Sequence, residues 1–312
     1  MTRGRVVSLG GGHGLSASLS ALRLLTDQVT AVVTVADDGG SSGRLRDELG
    51  VIPPGDLRMA LSALCDDTEW GHTWRDLLQH RFASSGELHN HAVGNLLIVA
   101  LWELLGDTVT GLDWVARLLG ARGRVLPMAA VPLDIEATVV GMDPDDPSAP
   151  TTVRGQVAVA TTAGRVVGIR LRPDRPPACP EAVTAVESAD WVILGPGSWF
   201  TSVLPHLLVP DLADALRTTK ARRIVVLNME PQTGETEGFS PENHLEVLAM
   251  HAPLLSLDVV LADYRTVDRP QSLVDVASSL GARLVMADLA DVDDATRHDP
   301  LRLAAAYRDI MD

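Results

Sequence analysis

The sequence predicts an α/β protein: a Rossmann-like, doubly wound, mostly parallel sheet with a helical section and a small β-rich insertion. Three observations carry that prediction. Residues 5–15 run from the apolar Val6–Leu9 into Gly10-Gly11-Gly12-His13-Gly14, and residues 31–46 run from Ala31–Val35 into Asp37-Asp38-Gly39-Gly40-Ser41-Ser42-Gly43. Both are short apolar runs of the kind buried on both faces of a parallel sheet, each ending in glycines. Between them Leu15, Leu19, Leu22 and Leu25 recur at helical spacing, which completes a βαβ unit.

Along the rest of the chain, residues 56–120 read as mainly helical. Leu57, Leu61 and Leu64, then Trp74, Leu77 and Leu78, then Val93 to Leu105, then Val115, Leu118 and Leu119 mark successive apolar faces. From 124 the period changes, and Val125–Met128, Ile135–Val140, Val153–Val159 and Val166–Leu171 read as strands. A polar turn over 143–150 and a proline-rich run over 172–180 punctuate this stretch. The α/β rhythm then returns. Trp191–Leu194 is a strand ending in Gly195-Pro196-Gly197, with a helix near 202–217. Ile224–Leu227 is a strand ending in Asn228, with a loop to Ser240 and a helix to about His251. Val259–Leu261 and Arg283–Met286 are further strands, and 298–311 is a closing helix. The expected organisation is one domain over 1–312, its core built from 1–120 and 181–312, with 121–180 as the β-rich insertion.

Composition narrows the function. A chain of 312 residues can bury a large core, and 46% hydrophobic with 21% charged residues is an ordinary globular balance. The net charge of −15 argues against a general binder of nucleic acid or anionic membranes. Lys220 is the single lysine, so no lysine follows either glycine loop and a Walker-type P-loop is excluded. Cys65 and Cys179 lie too far apart in sequence to read as a disulfide framework or a zinc site. Residues 1–12 turn to glycine before a signal-like stretch develops, and no apolar run reaches membrane-spanning length, so the expected location is the cytoplasm.

The candidate site residues cluster at predicted strand ends, where an open α/β sheet collects its ligand. Gly11, Gly12, His13 and Gly14 follow the first strand. Backbone N–H groups there, opening a helix, suit a phosphate, although Leu15 spoils the dinucleotide fingerprint and a plain turn has the same grammar. Asp37 and Asp38 suit ribose hydroxyls or Mg²⁺ beside a diphosphate, or simply a turn. Gly40, Ser41, Ser42 and Arg46 follow, then Asp56 and Arg58 after Pro53-Pro54-Gly55. Arginine suits bidentate phosphate contacts. His89 and His91 make a poor metal signature; His91, Gly94 and Asn95 read better as a helix entry facing a ligand, with a packing glycine as the plainer reading. Gly195, Gly197, Ser198 and Thr201 repeat the phosphate-loop grammar, and Asn228, Thr233, Gly234 and Glu235 end the next strand. No Ser-His-Asp order or nucleophile elbow is present.

Taken together, Gly10–Leu15, Val35–Arg46, Pro53–Arg58, His91–Leu97, Gly195–Ser202 and Asn228–Thr236 with Asn243-His244 resemble the YvcK-type gluconeogenesis factors. That group lies within the CofD-like superfamily of phospholactate transferases. The resemblance implies a Rossmann-like core and a cytoplasmic protein that binds a nucleotide, in this group a UDP-sugar. It implies a regulatory role tied to gluconeogenic growth, cell-wall synthesis and cell shape. Cell-wall regulatory proteins are the expected partners and a homodimer the expected state, and the net charge leaves nucleic acid out. On this reading the loops at 10–14 and 195–202 hold the diphosphate. Asp37 or Asp38 contacts ribose or a metal-bound water, and Asn228 and Thr233 frame the sugar or base. The competing implication is an Mg²⁺-dependent transferase moving a phospholactate-type group from a guanosine diphosphate donor to a deazaflavin alcohol. His13 stands where the group has threonine, Met59 where it has asparagine and Asn90 where it has glycine. The first bears on which nucleotide binds rather than on whether one does.

Overall fold

The structure, a computed structural model, describes residues 4–232 and 234–312. β1 (Val6–Gly10) leads into α1 (Gly12–Leu22), and β2 (Val29–Val33) returns parallel to β1 with Val6 opposite Val29. The strand expected at 31–35 thus begins and ends two residues earlier. Next comes α2 (Gly40–Leu49), which the sequence reading leaves as loop. Its first residues are glycines and serines, weak helix formers that hide its start, and Gly39 serves as N-cap. α3 (Gly55–Ala63), α4 (Glu69–Gln79), α5 (Val93–Leu105) and α6 (Thr108–Leu119) supply the helical section.

β3 (Arg124–Pro127) corrects one expectation. It pairs parallel with β2 and forms an edge of the main sheet rather than part of the insertion. Its Val125 and Leu126 are both buried, the unbroken pattern of a sheet covered on two faces. The separate three-stranded antiparallel sheet holds β4 (Asp134–Val140), β5 (Thr151–Arg154) and β6 (Arg165–Arg172) in the order β5-β4-β6. The strand expected over 153–159 stops early. Gly155 at φ +99° turns the chain into α7 (Gln156–Ala160).

After α8 (Pro180–Glu187) the chain re-enters the core as β7 (Trp191–Leu194). The helix expected near 202–217 is divided: a π-turn at 199–203 and a 3₁₀ turn at 204–208 precede α9 (Pro210–Thr218). Pro205 and Pro210 each remove an N–H that a continuous helix would need. β8 (Arg222–Val226), α10 (Pro241–His251), β9 (Val259–Asp263), α11 (Pro270–Ser279), β10 (Arg283–Ala287) and α12 (Pro300–Met311) complete the chain. α11 has no counterpart in the sequence reading.

The main sheet has the order β10-β9-β8-β7-β1-β2-β3, with every neighbouring pair parallel. From β1 the chain winds one way through β2 and β3; β7 lies on the other flank of β1 and the winding proceeds away to β10. The boundary between β1 and β7 is therefore the topological switch point, where helices diverge to opposite faces and leave a crevice at the carboxyl ends. Trp199, Phe200 and Tyr307 are the bulkiest fully buried side chains. A hydroxyl chain, Ser8 to Ser18 at 3.3 Å and Ser18 to Tyr307 at 2.8 Å, ties β1, α1 and α12 together inside that core. Among the described residues no helix is long and apolar enough to cross a membrane.

Candidate functional site

At the switch point the glycine loops of β1 and β7 pack against each other. A Cβ on Gly14 would lie 2.3 Å from the Pro196 carbonyl oxygen, so only glycine lets α1 begin this close to the 195–197 loop. The N-cap of α1 is Gly11, which offers no side-chain oxygen to the first turn. The N–H groups of His13 and Gly14 have no acceptor within the helix, and the positive end of the helix dipole points the same way. Gly197, at φ +141°, is clamped by Asn228: its N–H donates to Oδ1 and its carbonyl accepts from Nδ2, both at 2.8 Å. These groups open onto a cavity of about 480 Å³ whose lining includes His13, Gly14, Gly197, Asn228, Arg297 and His298. Its volume fits a small-molecule ligand. The uncapped helix start, the exposed His13 and Arg297 suit an anion.

Arg297 and His298 were not among the sequence candidates. They come from the segment after β10, which is held by Asp263 at the end of β9. That buried carboxylate accepts N–H bonds from Arg265 at 2.7 Å, Leu289 at 2.6 Å and Ala290 at 3.1 Å. An aspartate closing an apolar strand was the available signal for Asp263; no local pattern marks Arg297. Burial pushes the His298 imidazole down to about 4 against a hydrogen bond to Leu227 and the charge of Asp263, so it is neutral at pH 7.

On the other side of β1 the structure pairs Asp37 with Asp56. Burial raises the Asp56 carboxyl to about 7, the nearby Asp37 charge adds to that, and the Gly12 N–H and Arg58 oppose it. Asp37 is also raised by burial, while the Gly39 N–H and the Ser42 hydroxyl bond to it. A Cβ on Gly11 would meet Asp56 Oδ2 at 2.5 Å, and one on Gly55 would meet Asp37 Oδ2 at 3.1 Å, which puts Asp56 beside the α1 start and Asp37 beside the start of α3. Asp38 faces elsewhere: it is exposed, and its Oδ1 accepts the Val157 N–H at 3.0 Å at the start of α7. The oxygen-only pair Asp37 and Asp56 fits a hard divalent cation shared with a diphosphate. Among the described residues no group of three or more His, Cys, Asp or Glu is so placed.

Several other candidates bond chiefly to one another. The Ser41 hydroxyl lies 3.0 Å from His91 Nδ1 and accepts from Asn95 Nδ2 at 3.0 Å and the Ala92 N–H at 3.3 Å. Arg58 donates from Nε to Asn95 Oδ1 at 2.9 Å and from Nη1 to Gln79. Gly94 gives Arg58 and the Leu78 carbonyl room, since a Cβ there would meet each at 2.8 Å. Arg46 is engaged by the Leu133 carbonyl at 2.9 Å and by Asp134, which anchors α2 to the small sheet. Gly40 is exposed at the start of α2. Ser198 donates to the buried Glu235 and accepts from Thr201 Oγ1 at 2.6 Å, and burial raises the Glu235 carboxyl. A Cβ on Gly234 would lie 2.5 Å from the Ala160 carbonyl oxygen, so this loop packs on α7. Thr233 lies outside the described residues.

The profile of the family described as 2-phospho-L-lactate transferase CofD matches residues 6–301. A Mycobacterium tuberculosis protein described as "Putative gluconeogenesis factor" is 55% identical over 308 residues, covering 98% of this chain and 89% of its own length. The "Gluconeogenesis factor" of Listeria monocytogenes is 34% identical over 316 residues, covering 98% and 95%. A solved Bacillus halodurans structure, titled as a member of the UPF0052 family, superposes with a TM-score of 0.85 at 31% identity, covering 98% of this chain and 99% of that one. With the switch-point crevice in place and the profile matched from β1 into α12, the chain belongs to the CofD family, alongside the bacterial gluconeogenesis factors.

Proposed function

We propose that the protein binds a UDP-sugar at the β1/β7 switch point and acts as a regulator rather than as a catalyst. One observation carries the ligand class: two abutting glycine loops place the uncapped start of α1 over a polar cavity lined by His13, Asn228 and Arg297. A diphosphate supplies the acceptors that the His13 and Gly14 N–H groups lack. The gluconeogenesis-factor relatives support a role tied to carbon metabolism, and the resemblance to their group supports a cytoplasmic homodimer acting on cell-wall synthesis and cell shape through regulatory partners.

The second reading is a transferase, and the Asp37–Asp56 pair favours it. Bound Mg²⁺ would neutralise charge on a diphosphate donor, with Asp37 and Asp56 holding the ion. Asp56 would also keep the Gly12 N–H oriented. Against a deazaflavin acceptor stands a second cavity, next to the first at Asn228, where among the described residues Phe239 is the sole Phe, Tyr or Trp in the lining. Calorimetry with UDP-N-acetylglucosamine, UDP-glucose, GDP and NAD⁺ tests the choice. UDP-sugars should bind most tightly; tighter binding by GDP or a guanosine-linked phospholactate would transfer the assignment to the transferase.

A further inference from the structure

A second cavity of about 380 Å³ adjoins the first, and the two share Asn228, Met229 and Glu230 as a common wall. The first lies over the ends of β1 and β7. The second lies over the loops that follow β8 and β9, and it includes Phe239, Glu242, His244, Asp268 and Arg269. At the usual interstrand spacing the two together span about 14 Å along the carboxyl edge of the sheet. A groove of that length, with the start of α1 at one end and a carboxylate-rich wall at the other, fits a ligand made of a diphosphate and a chemically different terminal group.

The chemistry of the second cavity identifies that group. Glu230, Glu242 and Asp268 bring carboxylates, which only accept hydrogen bonds when ionised. Burial pulls the Glu242 carboxyl up, but hydrogen bonds from Ser240 and Ser272 and the charge of Arg269 outweigh it and hold it below the usual range. His244, 5% exposed, donates from Nδ1 to the Ser240 carbonyl at 2.9 Å, and its Nε2 is buried, so the residue backs the wall and the carboxylates are what face the ligand. The lining is thus rich in acceptors, with Leu227, Met229 and Phe239 as an apolar wall. A uracil edge presents two carbonyl acceptors beside one N–H and would meet these carboxylates unfavourably. A phosphate would meet three carboxylates against the single guanidinium of Arg269. A sugar presents several hydroxyl donors around an apolar C–H face.

We infer that the second cavity is the glycosyl subsite, and that Glu230 and Asp268 set selectivity for the sugar by accepting its hydroxyls. This inference rests on the UDP-sugar reading. Both residues are exposed, so Glu230→Gln and Asp268→Asn keep size and fold while removing charge. The readout is the ratio of UDP-glucose to UDP affinity, measured by calorimetry on the full chain, with Phe239→Ala as an independent probe of the apolar wall. The expected result is a ratio that falls at least tenfold in Asp268→Asn and further in the double carboxylate variant. An unchanged ratio, including equal losses for both ligands, would overturn the subsite while leaving the UDP-sugar reading standing. If the wild-type protein binds neither UDP nor UDP-glucose, that reading falls and the inference falls with it.

Discussion

Asp56 gives the sharpest test of the site's electrostatics. Its carboxyl is raised from 3.8 to about 7, first by burial and then by the charge of Asp37. Between those values the folded protein keeps a proton that the unfolded chain has released. A raised carboxyl pKa therefore favours folding below the unfolded value and loses that advantage as pH rises through the folded one. At 1.36 kcal/mol per pH unit, ionising Asp56 in place costs up to about 4 kcal/mol once the pH is above 7. Asp56→Asn keeps the volume and an acceptor for the Gly12 N–H but cannot ionise. Total stability is a poor readout, because burial holds His206 and His298 near 4 and they act in the opposite sense over part of the same range. The difference between variant and wild type isolates Asp56. In urea titrations it should grow in favour of the variant by about 3 kcal/mol between pH 5 and pH 8. On the transferase reading, saturating Mg²⁺ should reverse this by stabilising the wild type alone, since a cation bound only to the folded state adds stability. A difference that is flat with pH, or a variant less stable than wild type at pH 8, would refute the burial of an ionisable Asp56 at this site.

Substitutions at three further positions probe the rest of the site. Gly14→Ala puts a methyl 2.3 Å from the Pro196 oxygen, so the two loops must separate; it should destabilise by about 1–3 kcal/mol in thermal denaturation and lower UDP-sugar affinity at least tenfold. Asn228→Ala removes both bonds to Gly197 and should cost about 1–3 kcal/mol of stability along with nucleotide affinity, and normal calorimetry would show that the clamp is dispensable. His13→Thr should keep or improve binding while His13→Glu abolishes it, because a carboxylate would face the diphosphate; a folded His13→Glu protein that binds normally would place the ligand elsewhere.

The sequence made the sheet legible because a parallel strand buried on both faces is an unbroken apolar run, and the glycines after β1 and β7 mark where those runs end. It was less informative where helix signals were weak. α2 opens on Gly40-Ser41-Ser42-Gly43, and the helix expected near 202–217 is interrupted by Pro205 and Pro210. Within the site, single residues were legible but their partnerships were not. Ser41, His91 and Asn95 sit at positions that suit a ligand, yet the fold brings residues 50 and more apart in sequence into one internal hydrogen-bonded group.

The two adjacent aspartates show the same limit most clearly. Asp37-Asp38 reads as a paired site because both carboxylates follow one strand. Successive side chains on an extended segment point to opposite sides, so at most one of them can face a common ligand. Asp37 turns toward Ser42 and the start of α3, where Asp56 waits; Asp38 turns toward the Val157 N–H and fixes the insertion to the core. The partner of Asp37 lies 19 positions downstream, after Pro53-Pro54-Gly55, and is brought there by a chain reversal that no local spacing announces. Alternation alone argues against the adjacent pair. Only the closure of α3 over the β1 loop identifies Asp56 as the second carboxylate.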